Sequence, residues 1–215
     1  MKINKDTKIY GSFSNNPGNN GCIFFNEQFD KFDINAIYKS FYSTNPEKLI
    51  DSVKHLNFSG FALSMPLKIS IVSYLHKIDK AAQQIGAVNT VINDNGILTG
   101  YNTDWIGVYK FITTTNMWFP LDSPVTILGN GGFSRAIQYA LNKLDVKYRI
   151  IERKDWNEIP NITGVIFNAT PIEVQIDSEF YTDYIDGRPF TPTGKMIAKL
   201  QAEEQFKLYT GIKIE

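Results

Sequence analysis

The sequence has one cysteine, no excess of charge and no long apolar run. Cys22 alone excludes an internal disulfide framework and a cysteine-based zinc site. Lys and Arg together number 22, and so do Asp and Glu, so charge gives no reason to expect nucleic acid or a membrane as a partner. No apolar stretch approaches membrane-spanning length, and the N-terminus lacks a signal-peptide core. We therefore expect a cytoplasmic protein.

The two histidines, His55 and His76, lack the spacing of metal ligands, so we expect both on helix surfaces and expect no metal site. The 215 residues can form one large or two small domains, and either arrangement can bury a core.

Strand and helix patterns alternate along the first hundred residues. Strands are predicted to end near Gly11 and to cover 36–42 and 58–64, with helices from Cys22 and over 46–55. Ser12 to Gly21 is rich in turn formers and predicts a loop. A further helix is predicted with Ile71, Leu75, Ile78 and Ala82 on one face. The alternation predicts an α/β fold with a mixed or parallel sheet covered by helices.

The stretch from Gly86 to Gly107 says most about function. Two apolar runs flank Asn93-Asp94-Asn95-Gly96, which predicts a tight hairpin because Asn and Gly tolerate positive φ. Asn89 and Thr90 precede the hairpin, and Tyr101 to Asp104 follow it. Amide, hydroxyl and carboxylate groups can therefore converge on one cleft.

A glycine-rich turn follows a buried-strand candidate at 124–128. Gly129, Gly131 and the small Ser134 match Gly-x-Gly-x-x-small, and apolar residues then recur at helical spacing. A lone glycine motif is weak evidence and also suits a structural strand-to-helix turn. However, the next strand ends at Glu152 about 20 residues on, which is typical of a dinucleotide site. Glu152 favours NAD, whereas Arg153 and Lys154 suit the 2′-phosphate of NADP.

Several blocks resemble the shikimate dehydrogenase family. They are Gly-Ala-Val-Asn-Thr at 86–90, Gly-Tyr-Asn-Thr-Asp at 100–104, Ser-Met-Pro-Leu-Lys at 64–68 (Val-Thr-x-Pro-x-Lys in the family) and Asn-Ala-Thr-Pro at 168–171. The resemblance implies a two-domain α/β protein. A substrate-binding, catalytic domain would span 1–105 with a returning C-terminal helix at 194–215, and a shortened Rossmann-like dinucleotide-binding domain would span 106–193.

The resemblance also implies a reaction. A small-molecule ring ketone and its alcohol, 3-dehydroshikimate and shikimate or a close analogue, would be interconverted with NADP, or with NAD, in aromatic amino acid biosynthesis. Lys68 would give or take the proton beside Asp104, and Ser64, Asn89, Thr103 and Gln201 would contact substrate. Arg153 keeps the family's NADP-phosphate arginine. The implied cofactor-binding residues are Gly129, Asn130, Gly131, Gly132, Phe133, Glu152, Arg153, Lys154, Asn168, Thr170 and Gly194. The protein would act as a monomer or homodimer.

Departures from the family fall on functional positions. The Ser-x-Ser-Pro loop that grips the substrate carboxylate is altered: one alignment offers Asn20 and Cys22, another Ser12 and Ser14. Ala62 replaces an asparagine. The segments 153–164 and 179–193 are short, and only Tyr181 and Tyr184 are candidates for the family's substrate tyrosine.

Two other readings follow. The protein could be a nucleotide- or metabolite-binding paralogue that lacks efficient turnover, although Lys68 and Asp104 argue against it because a binder needs no proton relay. It could also be another two-domain dehydrogenase, such as a methylene-tetrahydrofolate enzyme, which the Asn-Thr-Asp block disfavours.

Overall fold

The computed structural model of the protein describes residues 3–117, 119, 124–177 and 181–214. The chain forms two compact units, Met1–Thr103 with Ala202–Glu215, and Asp104–Gln201. Each unit contains one β-sheet, and the α/β architecture agrees with the prediction. The second boundary falls inside the last helix, whereas the sequence placed it at 193/194.

The first unit is built on a six-stranded mixed sheet in the order β2-β1-β3-β5-β6-β4. β1 is parallel to β2 and β3, and β5 is antiparallel to β3 and β6. The strands are β1 (Lys8–Ser14), β2 (Ala36–Tyr42), β3 (Gly60–Leu63), β4 (Lys77–Ile78), β5 (Thr90–Asp94) and β6 (Ile97–Tyr101). β5 and β6 form the predicted hairpin, with positive φ at Asn95 and Gly96.

The first unit also holds the helices α1 (Asn20–Lys31), α2 (Pro46–His55), α3 (Leu67–Ser70) and α4 (Lys80–Ile85), and a 3₁₀ helix at Val72–Tyr74. The Asn45 side chain caps α2 by accepting from the main-chain N–H of Lys48, and Pro46 is the first helical residue. Both the start and the end of α2 match the sequence prediction.

The single helix expected through Ile71, Leu75, Ile78 and Ala82 is wrong. Leu75 has extended backbone, and Lys77–Ile78 pairs with β6 as the short strand β4. Asp79 then caps a new helix by accepting from the main chain of Ala81 and Ala82. Pairing with a distant strand overrides the helical spacing of the apolar residues, and the N-cap signal at Asp79 marks the break.

Two apolar clusters enclose the first sheet. Because side chains alternate along a strand, Tyr10 and Phe13 of β1 belong to different clusters. One contains Phe61, Leu67 and Val91, and the other contains Phe25, Phe29, Tyr38 and, from the C-terminal helix, Phe206 and Tyr209.

The second unit is built on a four-stranded parallel sheet in the order β10-β9-β7-β8. Its elements are α5 (Asp104–Thr114), β7 (Val125–Leu128), α6 (Gly132–Lys143), β8 (Tyr148–Ile151), a 3₁₀ helix (Arg153–Asn161), β9 (Gly164–Asn168), β10 (Tyr181–Asp186) and the part of α7 (Pro192–Thr210) that ends at Gln201. Strand order reverses between β7 and β9, which is where ligands bind in open α/β sheets.

Strand β10 was missed by the sequence reasoning, which treated 179–193 only as a shortened segment. The short connection after Arg153 is a 3₁₀ helix rather than a full α-helix. The looser connection predicted for Thr113 to Pro124 falls partly outside the described residues. Within the described ranges, no helix is long and apolar enough to cross a membrane.

Candidate active site

Three strand ends meet at one edge of the first sheet. Ala62 of β3 pairs with Thr90 of β5, which pairs with Tyr101 of β6. Since β5 runs against its neighbours, the residues just after β3, just before β5 and just after β6 share this edge. Ser64, Asn89 and Thr103 are those residues, so the two family blocks and the Ser64–Lys68 block come together as expected.

Asn89 and Thr103 form a buried hydrogen-bonded cluster. The Asn89 side chain is held at both ends: its Oδ1 accepts from the Thr103 main-chain N–H at 2.7 Å, and its Nδ2 donates to Thr103 Oγ1 at 3.0 Å. Asn89 and Thr103 are 3 % and 1 % exposed. Asn102, equally buried, donates to the Ala87 carbonyl. The cluster is therefore fixed in position before any ligand binds.

One residue of this cluster was missed by sequence reasoning. Gln205, on α7, donates through Nε2 to Thr90 Oγ1 at 2.6 Å and more weakly to the Asn89 carbonyl oxygen at 3.4 Å. It lies one helical turn after Gln201, the glutamine chosen from the sequence. That spacing was the available signal.

Lys68 lies on α3, directly after the turn that follows β3, as predicted for a strand-to-helix junction. Its side chain is half-buried. Its carbonyl oxygen accepts from the Val88 N–H at 2.8 Å, which ties the Lys68 main chain to the block that contains Asn89. Ser64 is anchored similarly, since its N–H donates to the Phe13 carbonyl at 3.0 Å.

Asp104 directly follows Thr103 and is the first residue of α5. Its side chain is 6 % exposed. A carboxylate in the first turn of a helix interacts favourably with the helix dipole. Asp104 and Gln201 both belong to the second unit.

The predicted carboxylate loop starts later than expected. Ser12 and Ser14 are strand residues of β1, because the main chain pairs with β2 and β3 through this point, so placing them in the loop was wrong. Ser12 Oγ donates to Ser40 Oγ at 3.0 Å, and Cys22 Sγ lies 3.2 Å from the same Ser40 oxygen. Asn20 begins α1 and is exposed. One residue of each alternative set, Ser12 and Cys22, thus contacts the Ser40 hydroxyl.

Tyr38 lies beside Ser12 and Cys22. Burial raises the pKa of its phenol, and a hydrogen bond with Ser12 opposes the shift only partly. Tyr38 therefore stays protonated and neutral throughout the physiological range.

The glycine turn of the second unit has the predicted context of strand, turn and helix. Gly129 has φ of +94°, and a Cβ there would lie 3.0 Å from Thr170, so the fold itself requires glycine. Gly131, the N-cap of α6, differs: its φ is −88°, and a Cβ would meet no protein atom within 4 Å. Packing gives no reason for glycine at 131, whereas the close approach of a ligand would.

Three charged residues follow β8. Glu152 Oε1 accepts from Asn130 Nδ2 at 2.7 Å, and Glu152 Oε2 lies 3.7 Å from Lys154 Nζ. The Arg153 guanidinium lies over the Trp156 ring at 5.7 Å. Asn130 in the glycine turn and Glu152 at the strand end are therefore linked by a hydrogen bond.

Asn168 is buried at the end of β9, and its side chain shapes the turn that follows. Oδ1 accepts from the N–H and hydroxyl of Thr170, and Nδ2 donates to the Ile172 carbonyl. The Asn168 carbonyl oxygen accepts from Gly187 N–H. The ring of Phe133, at the start of α6, lies so close to Gly187 that a Cβ on Gly187 would clash with it.

A second missed cluster follows β10. Arg188 donates to both oxygens of Asp186 through Nε at 3.0 and 2.9 Å, and the Arg188 side chain is only 11 % exposed. The Asp186 carboxylate raises the pKa of the Arg188 guanidinium. Thr191 and Thr193 both donate to the Asp186 carbonyl, and a Cβ on Gly194 would overlap the Arg188 carbonyl oxygen. The loop that starts α7 is thus tightly fixed.

The remaining sequence candidates have other partners. Tyr181 and Tyr184 lie in β10, and the Tyr184 hydroxyl donates to the Val174 carbonyl. His55 ends α2, whereas His76 lies outside any helix and its Nδ1 accepts from Leu98 N–H, so the helix-surface expectation for His76 is wrong. In the part of the chain that the structure describes, no group of three or more His, Cys, Asp or Glu could hold a metal ion.

Comparison with known proteins settles the family. A sequence model of the shikimate dehydrogenase substrate binding domain matches residues 21–91. A shikimate dehydrogenase-like protein of Haemophilus influenzae is 32 % identical over an alignment of 252 positions that covers 97 % of this chain and 92 % of that protein. The chain belongs to the shikimate dehydrogenase family.

Other members of the family match over part of their length. An NADP(+) shikimate dehydrogenase of Pyrococcus furiosus is 36 % identical over 179 residues, 80 % of this chain and 65 % of that protein. One from Bacillus cereus is 36 % identical over 155 residues, 68 % of this chain and 56 % of that protein. The aligned part of this chain spans less than two thirds of either enzyme.

Solved structures of the family share the fold. A shikimate 5-dehydrogenase-like protein superposes with a TM-score of 0.81 at 30 % identity, covering 100 % of this chain and 95 % of the other. A shikimate dehydrogenase in complex with NADP+ gives 0.75 at 26 % identity, covering 99 % and 93 %. The Thermus thermophilus enzyme in complex with NADP(H) and shikimate gives 0.78 at 20 % identity, covering 97 % and 95 %, which shows a common fold.

Proposed function

We propose that this protein is an NADP-dependent oxidoreductase that interconverts 3-dehydroshikimate and shikimate, or a closely related ring ketone and alcohol. The observation that carries the proposal is the buried Asn89–Thr103 cluster, built from two family blocks at a sheet edge shared with Ser64. A hydroxylated ring is recognised by such fixed donors and acceptors, because a buried polar group left unpaired is costly.

Roles on the substrate side follow from the family resemblance. Asn89 and Thr103 would bond ring hydroxyls, with Ser64 and Gln201 as further contacts. For the carboxylate, the cluster of Ser12, Ser40 and Cys22 supplies hydroxyl and thiol groups at the start of α1.

Proton transfer is assigned to Lys68. The cofactor, when bound, supplies the hydride that reaches the carbonyl carbon. The resulting alkoxide oxygen takes a proton from the Lys68 ammonium, and in the reverse direction the Lys68 amine removes the hydroxyl proton. Asp104 would stabilise the ammonium and orient it.

The second unit has the features that a dinucleotide requires. The turn Gly129–Gly132 leads into α6, whose first main-chain N–H groups would hold the pyrophosphate, with Phe133 beside them. The open space at Gly131 supports this fit. Asn168, Thr170 and Gly194 would form the wall at the nicotinamide end through the turns that they fix.

NADP is favoured over NAD by the two basic residues after β8. Arg153 and Lys154 are exposed and can pair with a 2′-phosphate, while Glu152 opposes it and would bond a free 2′-hydroxyl. Relatives named as NADP(+) enzymes support NADP as the first cofactor to test.

The proposal is tested by following nicotinamide absorbance with NADP and NAD against shikimate and quinate. We expect turnover with NADP and shikimate, and a fall in kcat of about 10²–10⁴-fold in Lys68→Ala, with cofactor affinity almost unchanged. Lys54→Ala, an exposed lysine on α2, is the matched control. Equal turnover by Lys68→Ala and wild type would remove Lys68 from the mechanism. Cofactor binding without turnover on any substrate would favour the paralogue that only binds.

A further inference from the structure

Gln205 is a buried glutamine on the helix α7, far along the chain from the hairpin that it contacts. It is 2 % exposed, and its Nε2 donates to Thr90 Oγ1 at 2.6 Å. Thr90 is fully buried beside Asn89. All three residues belong to the first unit.

The hydrogen bonds of this group have a defined direction. Thr90 has one hydroxyl hydrogen, and because its oxygen accepts from Gln205, that hydrogen is directed to Asn89 Oδ1 at 2.9 Å. Asn89 Oδ1 also accepts from the Thr103 main-chain N–H, which can only donate. Gln205 and Thr103 together fix the carbonyl end of the Asn89 amide toward the protein interior.

We infer that Gln205 is a positioning residue that makes Asn89 a hydrogen-bond donor toward the substrate. The inference rests on the proposed function. With Oδ1 turned to Thr90 and the Thr103 main chain, the amino group, which also donates to Thr103 Oγ1 at 3.0 Å, is the end of Asn89 that contacts a substrate oxygen. The substrate class this selects is a ring that carries an acceptor oxygen, a hydroxyl or a carbonyl, opposite Asn89.

A purely structural role for Gln205 gives different results. If Gln205 only anchored α7 to the sheet, its loss would weaken the binding of every ligand alike. If it orients Asn89, its loss weakens only ligands with the oxygen that Asn89 contacts. Ligands that each lack one ring hydroxyl therefore separate the two roles.

The experiment measures binding of shikimate, and of analogues that each lack one ring hydroxyl, by titration calorimetry. Gln205→Met removes the donor at nearly constant volume, and we expect shikimate to bind about five- to tenfold more weakly, the loss of one oriented hydrogen bond. The penalty should fall below twofold for one of the analogues. Gln205→Glu places an acceptor where the donor stood and should weaken shikimate binding at least as much.

Tyr209→Phe is the matched control. Tyr209 lies on the same helix, is buried, and its hydroxyl has no partner among the described residues, so its removal should leave shikimate binding unchanged. An equal penalty for all the analogues, or no penalty in either Gln205 variant, would overturn the inference while leaving the proposed function standing. Wild-type protein that does not bind shikimate would overturn the proposed function itself.

A second readout needs no ligand. The side-chain NH₂ resonances of Asn89 should shift in Gln205→Met, because the Thr90 hydroxyl is released, and should stay in place in Tyr209→Phe. Unchanged Asn89 resonances in Gln205→Met would show that Gln205 does not orient the amide.

Discussion

The two units present their candidate ligand groups by opposite means. In the first unit the groups are side chains, buried and bonded to each other, as Asn89 and Thr103 are. In the second unit they are the main chain of a glycine turn and exposed charges at Arg153 and Lys154. The first arrangement fixes direction, which a ring with several hydroxyls requires. The second supplies N–H groups and charge, which suffice for phosphates.

This difference has an energetic consequence. A substitution in the first site leaves buried polar groups without hydrogen-bond partners, so it should lower both the stability of the fold and the affinity for ligand. A change at Gly131 or at the charged residues after β8 faces solvent, so ligand affinity should fall while the stability of the fold is unaffected. Four substitutions can break or sharpen the comparison.

Asn89→Ala should have the largest effect. It leaves the Thr103 N–H and the Thr90 hydroxyl without their acceptor, so we expect a loss of roughly 2–4 kcal/mol in the free energy of unfolding, from two buried unpaired donors. Urea denaturation measures it, with Asp94→Ala, at the exposed end of β5, as control. A loss confined to substrate affinity would contradict the account of a self-supporting cluster.

Gly194→Ala should come next. The added Cβ would overlap the Arg188 carbonyl oxygen, and because main chain cannot move aside cheaply, we expect a loss of about 3 kcal/mol. Thermal unfolding followed by circular dichroism measures it. The prediction assumes that the loop before α7 is rigid. Wild-type stability in this variant would show that this loop moves to accommodate the added Cβ.

Gly131→Ala should separate binding from stability. A Cβ at 131 meets no protein atom, so unfolding should be unchanged, while the pyrophosphate is held off and the Kd for NADP rises about tenfold, or 1.4 kcal/mol. Fluorescence titration with NADPH measures the Kd, and Gly18→Ala, at an equally open site in the first unit, is the control. Unchanged affinity would mean that the glycine turn does not contact the cofactor.

Glu152→Gln should have the smallest effect. Removal of the carboxylate favours a 2′-phosphate, so the NADP-to-NAD ratio of affinities should rise about two- to fivefold, on the scale of an exposed charge interaction. The gain should shrink at high salt. A fall in the ratio would show that Glu152 supports NADP binding by holding Asn130 and Lys154.

Local signals predicted much of the fold. The helix α2 over 46–55, the Asn-Gly hairpin, and the strand, glycine turn and helix at 125–143 all depend on nearby residues, and each was found as expected. The failures lie where distant pairing decides. Ser12–Ser14 are strand because β2 and β3 flank them, and Lys77–Ile78 are strand because β6 is adjacent.

The site divides in the same way. Asn89 and Thr103 lie in short recognisable blocks 14 residues apart, so sequence reasoning found them. Gln205 lies 115 residues from Thr90, and its spacing of one helical turn from Gln201 was the only sequence signal that could have indicated it. Asp186 and Arg188 follow a strand that was not predicted, so their ion pair could not be expected.

The most direct test of the account is a pair of nuclear magnetic resonance titrations of the wild-type protein. Shikimate should shift main-chain amide resonances around Ser64, Asn89 and Thr103, whereas NADP should shift those of Gly129 to Phe133. Two results would contradict the assignment of substrate and cofactor to the two sheet edges. In one, shikimate shifts no resonance of the first unit; in the other, NADP shifts no resonance of the glycine turn.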